Sequence, residues 1–338
     1  MLFRSLTAVF FFTLAFWGNS AEAIPRRKSS AATSTTTQAT AQQQAAQISG
    51  GISTATDGST ILDQTVTVND LNLRPKVSAP ADQFTTLSGV TGAATKPNTT
   101  GVMGLNVLLH GDGGQSFFYF PNQAVQANLM GVVVLAPDPN LFWGGGSGLQ
   151  RTDGVAHAQA VNDLILNAMP NVISFNSSQV FFTGVSGGSL LLSGFFIPAQ
   201  MTNFKGTGVL LNCGGLVPQV TFQDADAVVA STTIHFQSTQ SEPAPLQPAI
   251  LSAIAAYENL ATAAGLSIDR INALQTLNNA PKGGHCEFDG KGFSSGIQVM
   301  ANAFSNVIQL GGNGQVNGIG DVLTGVVGNE KLTFSGAT

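Results

Sequence analysis

The sequence predicts an α/β protein, a single domain on a doubly wound, mostly parallel sheet. Three observations carry that prediction. Five apolar runs, GLNVLLHGDGG from Gly104, GVVVLAP from Gly131, VFFTGVS from Val180, GTGVLLNCGG from Gly206 and TTIHFQS from Thr232, each stop at Gly, Pro or Ser. Such runs suit strands buried on both faces. Helical patterns lie among and after them, at 118–130, 153–168, 188–197, 245–264 and 293–309, and strands alternating with helices of this size imply βαβ units. The 338 residues are 43% hydrophobic and only 9% charged, enough apolar surface for one large core.

Residues 1–23, MLFRSLTAVFFFTLAFWGNSAEA, join one arginine, a short apolar run and a small-residue site at Ala21-Glu22-Ala23. This is the pattern of a secretory signal peptide, and no later window offers the ~18 uncharged apolar residues of a membrane span. Residues 24–58 are rich in Ser, Thr, Gln and Ala and read as a disordered leader. Within it Arg26-Arg27-Lys28 reads equally as a processing site or as a solvated charge cluster. The domain then spans 59–310, and a glycine-rich tail, 311–338, carries no functional signal. Net charge is −5 and the basic residues are scattered, which excludes the basic stripe that a nucleic acid requires. Oligomeric state is left open, and no internal repeat is present.

Entering the domain, ILDQTVTVNDLNLRPKVSAP alternates apolar and polar residues on both sides of Asn69-Asp70, which predicts two antiparallel strands joined by a tight turn. The third apolar run, VFFTGVSGGSLLL, breaks for one serine boxed in by glycine. Gly184-Val185-Ser186-Gly187-Gly188 fits G-x-S-x-G where a buried strand turns directly into a helix. Such a turn brings the residues two before and two after the serine together, so Gly184 and Gly188 must be small. It lifts the Ser186 hydroxyl above the sheet and aims the N–H of Gly187 at a developing oxyanion. In a chain with 39 glycines the motif alone is weak; its strand-to-helix context gives it meaning.

The run NVLLHGDGG ends in His110-Gly111-Asp112-Gly113-Gly114, where the N–H of Asp112 offers a second oxyanion donor. No lysine follows in the manner of a phosphate-binding loop. Of four histidines, His110 belongs to this turn, His157 to a helical pattern and His235 to a strand. His285, on the loop NNAPKGGHCEFDGKGF before the last helical pattern, is the candidate base. The acid should follow TTIHFQS, where Glu242 is the one carboxylate; Asp224 and Asp226, which precede that strand, are the alternatives. Phe117, Phe118, Phe120, Phe142 and Trp143 lie near predicted strand ends, where they could line a pocket or simply pack the core. No cofactor or metal is indicated.

Two cysteines in an oxidising compartment favour a disulfide, Cys213 to Cys286, between loops at the carboxyl-end rim of the sheet. Sequons begin at Asn98 and Asn176, acceptors for glycan if the source is eukaryotic.

Over roughly 71–310 the motifs VLLHGDGG and GVSGGS resemble the α/β-hydrolase superfamily, in particular the esterase branch that holds polyhydroxyalkanoate depolymerases and feruloyl or acetylxylan esterases. The whole chain, LFWGGGSGLQRTDGVAHAQAVNDL included, also resembles secreted fungal proteins that carry the automatic name "cyclin-like F-box", which nothing in these residues supports. The resemblance implies Ser186 as nucleophile, His285 as general base, and Asp112 with Gly187 as the oxyanion hole. It departs at the acid, where those esterases usually place Asp and this chain offers Glu242. The expected function is a secreted serine hydrolase acting on a small-molecule or polymer ester. The expectation from a different class is a secreted binding or elicitor protein on the same scaffold.

Overall fold

The computed structural model describes residues 50–55, 57–119, 128–288, 303–316 and 334. The signal peptide, the leader up to 49, residues 120–127 and 293–302 of two helical patterns, residues 289–292, and most of the tail lie outside the described residues.

The described residues form ten strands: β1 (Gly51–Thr54), β2 (Thr60–Asp63), β3 (Val66–Val68), β4 (Leu71–Ala79), β5 (Gly104–Leu109), β6 (Leu129–Leu135), β7 (Val180–Val185), β8 (Gly208–Asn212), β9 (Thr233–Gln237) and β10 (Gln275–Asn278). Nine lie in the order β1-β2-β4-β6-β5-β7-β8-β9-β10, and β3 pairs with β4 alone. From β1 to β6 the pairings are antiparallel; from β6 to β10 they are parallel. The predicted tight turn joins β3 to β4. Asn69 (φ 51°) and Asp70 (φ 62°) are both left-handed, the conformation of a two-residue hairpin turn whose twist matches its strands.

Strands β5 to β10 are buried along their whole length, as continuous apolar runs require. Their side chains alternate between two cores. Val107, Leu109, Val132, Val134, Phe182, Val209 and Leu211 face one. Leu108, Val133, Leu135, Phe181, Val185 and Leu210 face the other. The first core is covered by α2 (Gly154–Asp163), α3 (Gly187–Leu191) and α5 (Leu246–Ala263); the second receives Phe117 of α1 (Gln115–Tyr119) and Phe304 and Val307 of α7 (Phe304–Val307). Two short helices, α4 (Ala225–Val229) and α6 (Ile268–Leu274), complete the chain order. A mixed sheet of this order, with helices on both faces and a strand-to-helix elbow after β7, is the α/β-hydrolase fold.

Four local readings are corrected. Residues 51–54, assigned to the leader by composition, form β1, an exposed edge strand whose Ile and Thr need no core to pair with β2. The helical pattern at 118–130 runs into β6, which begins at Leu129, because these apolar residues are buried in the sheet. The pattern at 188–197 is longer in the structure: α3 continues through a wide turn over Leu192–Phe196 and a further turn over Ile197–Gln200. Strand β10, QTLN, has no strand signature in the sequence, since three of its four residues are polar although all four are buried.

Candidate functional site

The strand order reverses at β5, with β6 on one side and β7 on the other, which opens a crevice beyond the carboxyl ends of the strands. Five consecutive strands of the parallel half each contribute a residue there. Asp112 follows β5, Ser186 follows β7, Cys213 follows β8, Glu242 follows β9 and His285 follows β10.

Ser186 has φ 48° and ψ −111°, a strained conformation for a residue with a Cβ. It is held there from both sides. The Ser186 N–H donates to the Asn212 carbonyl at 2.8 Å, and the Ser186 carbonyl accepts from Leu190 N–H at 3.0 Å, starting α3. Asn212 also donates its side-chain amide to the Gly184 carbonyl at 3.0 Å and accepts the Ser189 hydroxyl at 2.8 Å. A Cβ on Gly184 would stand 2.6 Å from the backbone of Ser189, and one on Gly188 would collide with the Leu109 carbonyl of β5. Both glycines are therefore required, but only Gly184 for the reason first given: Gly188 is confined by the neighbouring strand.

His285 bridges serine and acid. Its Nε2 is 2.9 Å from Ser186 Oγ and its Nδ1 is 2.5 Å from Glu242 Oε2. An ionised Glu242 only accepts, so Nδ1 carries the proton and the Nε2 lone pair faces the serine hydroxyl. Glu242 is 0% exposed, and its other oxygen accepts from Thr239 N–H at 3.0 Å and Thr239 Oγ1 at 3.2 Å. A carboxylate so buried is tolerable because each oxygen has a donor. The alternative acids are elsewhere: Asp224 and Asp226 are exposed, and Asp224 pairs with Lys205 at 3.5 Å.

The other histidines are structural. His110 is fully buried; its Nε2 accepts from Ala136 N–H at 2.8 Å, which leaves Nδ1 to donate to the Gly111 carbonyl at 2.6 Å, and burial pushes its pKa down to about 4. His235, inside β9, is likewise pushed down to about 4 by burial. His157 on α2 accepts from Gly144 N–H at 2.8 Å, and burial lowers its pKa too.

Gly111 sits beside the serine, where a Cβ would be 3.4 Å from that of Ser186. The N–H of Gly187, at the start of α3, has no carbonyl one turn behind it in the helix. A Cβ on Gly187 would strike Asp112 Oδ1, so the two residues expected to supply oxyanion donors lie side by side next to Ser186. Cys213 and Cys286 are disulfide-bonded with their Cα atoms 5.7 Å apart, which ties the His285 loop to the end of β8. With their thiols so engaged, these cysteines do not offer a metal the thiolates that their closeness to His285 would suggest. Of the aromatic residues considered for a pocket, Phe117 and Trp143 are fully buried and Phe142 is half-buried; the side chains of Phe118 and Phe120 lie outside the described residues. Asn98 is exposed and Asn176 half-buried, near the amino end of β7.

Three residues escaped the sequence reading. Asn212, which anchors the elbow, is one polar residue ending an apolar strand. Thr239 lies three residues before the acid. Arg151, inside a glycine-rich stretch, pairs with Asp112 through both carboxylate oxygens at 2.8 and 2.7 Å. A buried arginine next to a candidate oxyanion loop has no local signature, because the partner is 39 residues away.

No family model matches the chain, and no curated protein matches it. Among solved structures it is similar to a thermostable esterase, at 14% identity over 70% of this chain and 57% of that one, with TM-score 0.47. It is also similar to a predicted CIB-like hydrolase from Thermoplasma acidophilum, at 11% identity over 74% of this chain and 100% of that one, with TM-score 0.44. A third is a poly(3-hydroxybutyrate) depolymerase from Bordetella parapertussis, at 14% identity over 72% and 89% of the two chains, with TM-score 0.44. The chain thus spans little more than half of the first of these proteins. Likenesses this distant say nothing of chemistry, and the fold assignment rests on the strand order and the elbow. None of them supports the likeness to secreted fungal proteins.

Proposed function

We propose that the protein is a secreted serine hydrolase that cleaves carboxylic esters, small or polymeric, by acyl transfer through Ser186. The observation that carries this reading is the unbroken relay from Ser186 Oγ through His285 to Glu242, two contacts of 2.9 and 2.5 Å among side chains from three separate loops. In this mechanism His285 Nε2 takes the hydroxyl proton as Ser186 Oγ attacks the ester carbonyl carbon. The buried Glu242 carboxylate stabilises the imidazolium that results. The N–H groups of Asp112 and Gly187 receive the negative charge that develops on the carbonyl oxygen. The tetrahedral intermediate then collapses, the alcohol leaves with the proton from His285, and the acyl group stays on Ser186. Water, deprotonated in turn by His285, attacks the acyl-enzyme and releases the acid with the serine restored. The leader-like residues 1–23 and the disulfide both agree with secretion.

A fluorophosphonate probe tests the reading directly. Labelling of the wild-type protein that vanishes in Ser186→Ala is the expected result. A folded wild-type chain that takes no label would instead be a binding protein on a hydrolase scaffold. Turnover of a panel of p-nitrophenyl esters, feruloyl glycans and acetyl glycans then identifies the acyl and alcohol groups.

A further inference from the structure

The stretch LFWGGGSGLQRTDG has no role in the relay, yet it is built around one side chain. Leu141 accepts a hydrogen bond from Gly113 N–H at 3.2 Å, which ties the stretch to the loop after β5. Gly144 has φ +81°, and a Cβ there would be 2.8 Å from the Cβ of Arg151. Gly144 is further fixed by its N–H to His157 and by its carbonyl, which accepts from Asp153 N–H at 2.7 Å. The left-handed Gly144 thus lets the backbone wrap closely against Arg151, whose side chain is 1% exposed. The guanidinium spends one donor on the Trp143 carbonyl at 3.1 Å and grips Asp112 with a two-pronged pair.

The Asp112 carboxylate lies against the backbone of Gly187, so closely that a Cβ on Gly187 would strike Asp112 Oδ1 and come within 3.3 Å of Arg151 Nη1. A negative charge here would oppose the oxyanion that the adjacent N–H groups are to stabilise. The paired guanidinium cancels it and, through its rigid fork, fixes the orientation of the residue whose N–H is a donor.

We infer that Arg151, delivered by the glycine-rich stretch 141–154, is the positioning residue of the oxyanion hole: it holds Asp112 in place and neutralises its carboxylate beside Gly187. This rests on the serine-hydrolase reading and extends it. The experiment measures the rate of fluorophosphonate labelling, whose transition state uses the same donors, in wild type, Arg151→Met, Arg151→Lys and the double variant Arg151→Met/Asp112→Asn, with folding checked by circular dichroism. Arg151→Met should label roughly 100-fold more slowly, at the low end of the ~10²–10³ loss for removing a donor outright. Arg151→Lys, which keeps the charge but not the fork, should fall between it and wild type. With p-nitrophenyl acetate the loss should appear in kcat while KM stays within about twofold. The double variant should regain about tenfold over Arg151→Met, because the uncompensated charge has gone; a merely structural arginine predicts no such rescue. Wild-type labelling in folded Arg151→Met, or a double variant no faster than it, overturns the inference. If Arg151→Met does not fold, the double variant, which buries no unpaired charge, decides: labelling at the wild-type rate overturns the inference and roughly tenfold slower labelling supports it. A wild-type chain that takes no probe overturns the serine-hydrolase reading as well, whereas labelling unchanged across the variants overturns this inference alone.

Discussion

Glu242 is where a single atom matters most. Its two oxygens have different work: Oε1 accepts from Thr239 and Oε2 accepts from His285 Nδ1. In Glu242→Gln the amide oxygen can still serve Thr239, but the amide nitrogen then faces Nδ1. Two donors cannot share that contact, so the ring adopts the tautomer with its proton on Nε2 and can no longer accept from Ser186. We expect kcat to fall by ~10³–10⁴, as for the triad acid of the best-studied serine protease, while the circular dichroism spectrum is retained. Unchanged kcat in Glu242→Gln would remove Glu242 from the mechanism. Gly188 gives a second test at this scale. Its missing Cβ makes room for the Leu109 carbonyl, a backbone atom that cannot swing aside. Gly188→Val should therefore push α3 off β5, lower thermal stability and abolish ester turnover; normal activity in that variant would mean that the elbow tolerates what its geometry forbids.

Elements carry those residues, and the weakest link among them is the loop after β10. Among its described residues no helix or strand surrounds His285; the loop is held by the disulfide to the end of β8 and by hydrogen bonds from Thr239 Oγ1 to the Gly284 carbonyl and from Gln240 N–H to the Pro281 carbonyl. Closing a loop across 73 residues stabilises a folded chain by about 4 kcal/mol in the chain-entropy account. The bond should also restrict where His285 can go. Cys213→Ser/Cys286→Ser, or mild reduction of the native protein, should lower Tm by on the order of 10 °C and cut turnover in parallel. A reduced protein with wild-type kcat would show that packing alone positions the base. β10 teaches a related lesson. It is polar, four residues long and fully buried, and its parallel register against β9 sets the loop that brings His285 over Ser186.

At the scale of the whole molecule, stability should depend on pH through histidines that have no part in the relay. His110 and His235 are fully buried and stay neutral, each with its pKa pushed down by burial from 6.5 to about 4. An unfolded chain takes up those protons from about pH 6.5 downward, whereas the folded one resists until about pH 4. The stability these groups preserve is thus fully present above pH 6.5 and is lost progressively as pH falls toward 4. It amounts to about 3 kcal/mol for each histidine. Urea midpoints should be level from pH 8 to 7 and then fall steadily between pH 6.5 and 4.5. A midpoint as high at pH 5 as at pH 7 would contradict this. The same burial explains why His285 alone is available as a base: it is the histidine on the rim, and the other three are committed to the sheet, to a turn and to α2.

What the sequence determined by itself is what short-range chemistry can encode. Continuous apolar runs specify buried strands because both faces must leave water. Asn69-Asp70 specifies a hairpin turn because both residues tolerate the left-handed conformation. G-x-S-x-G specifies the elbow because the clash it avoids with Ser189 lies five residues away. The order of strands and loops named Ser186, His285, Asp112 and Gly187 as candidates and paired Cys213 with Cys286, but left the acid open among Glu242, Asp224 and Asp226. Tertiary structure decided the rest. It alone excluded Asp224 and Asp226 by leaving them exposed, recruited polar β10 into the sheet, drew Gly51–Thr54 out of the apparent leader, and set Arg151 behind Asp112. The acids, β10 and Arg151 turn on burial or on a partner tens of residues away that no local pattern records, whereas Gly51–Thr54 is settled by pairing with β2 close by in the chain. The energy that fixes them comes from pairing strands and charges across the fold, not from the residues beside them in the chain.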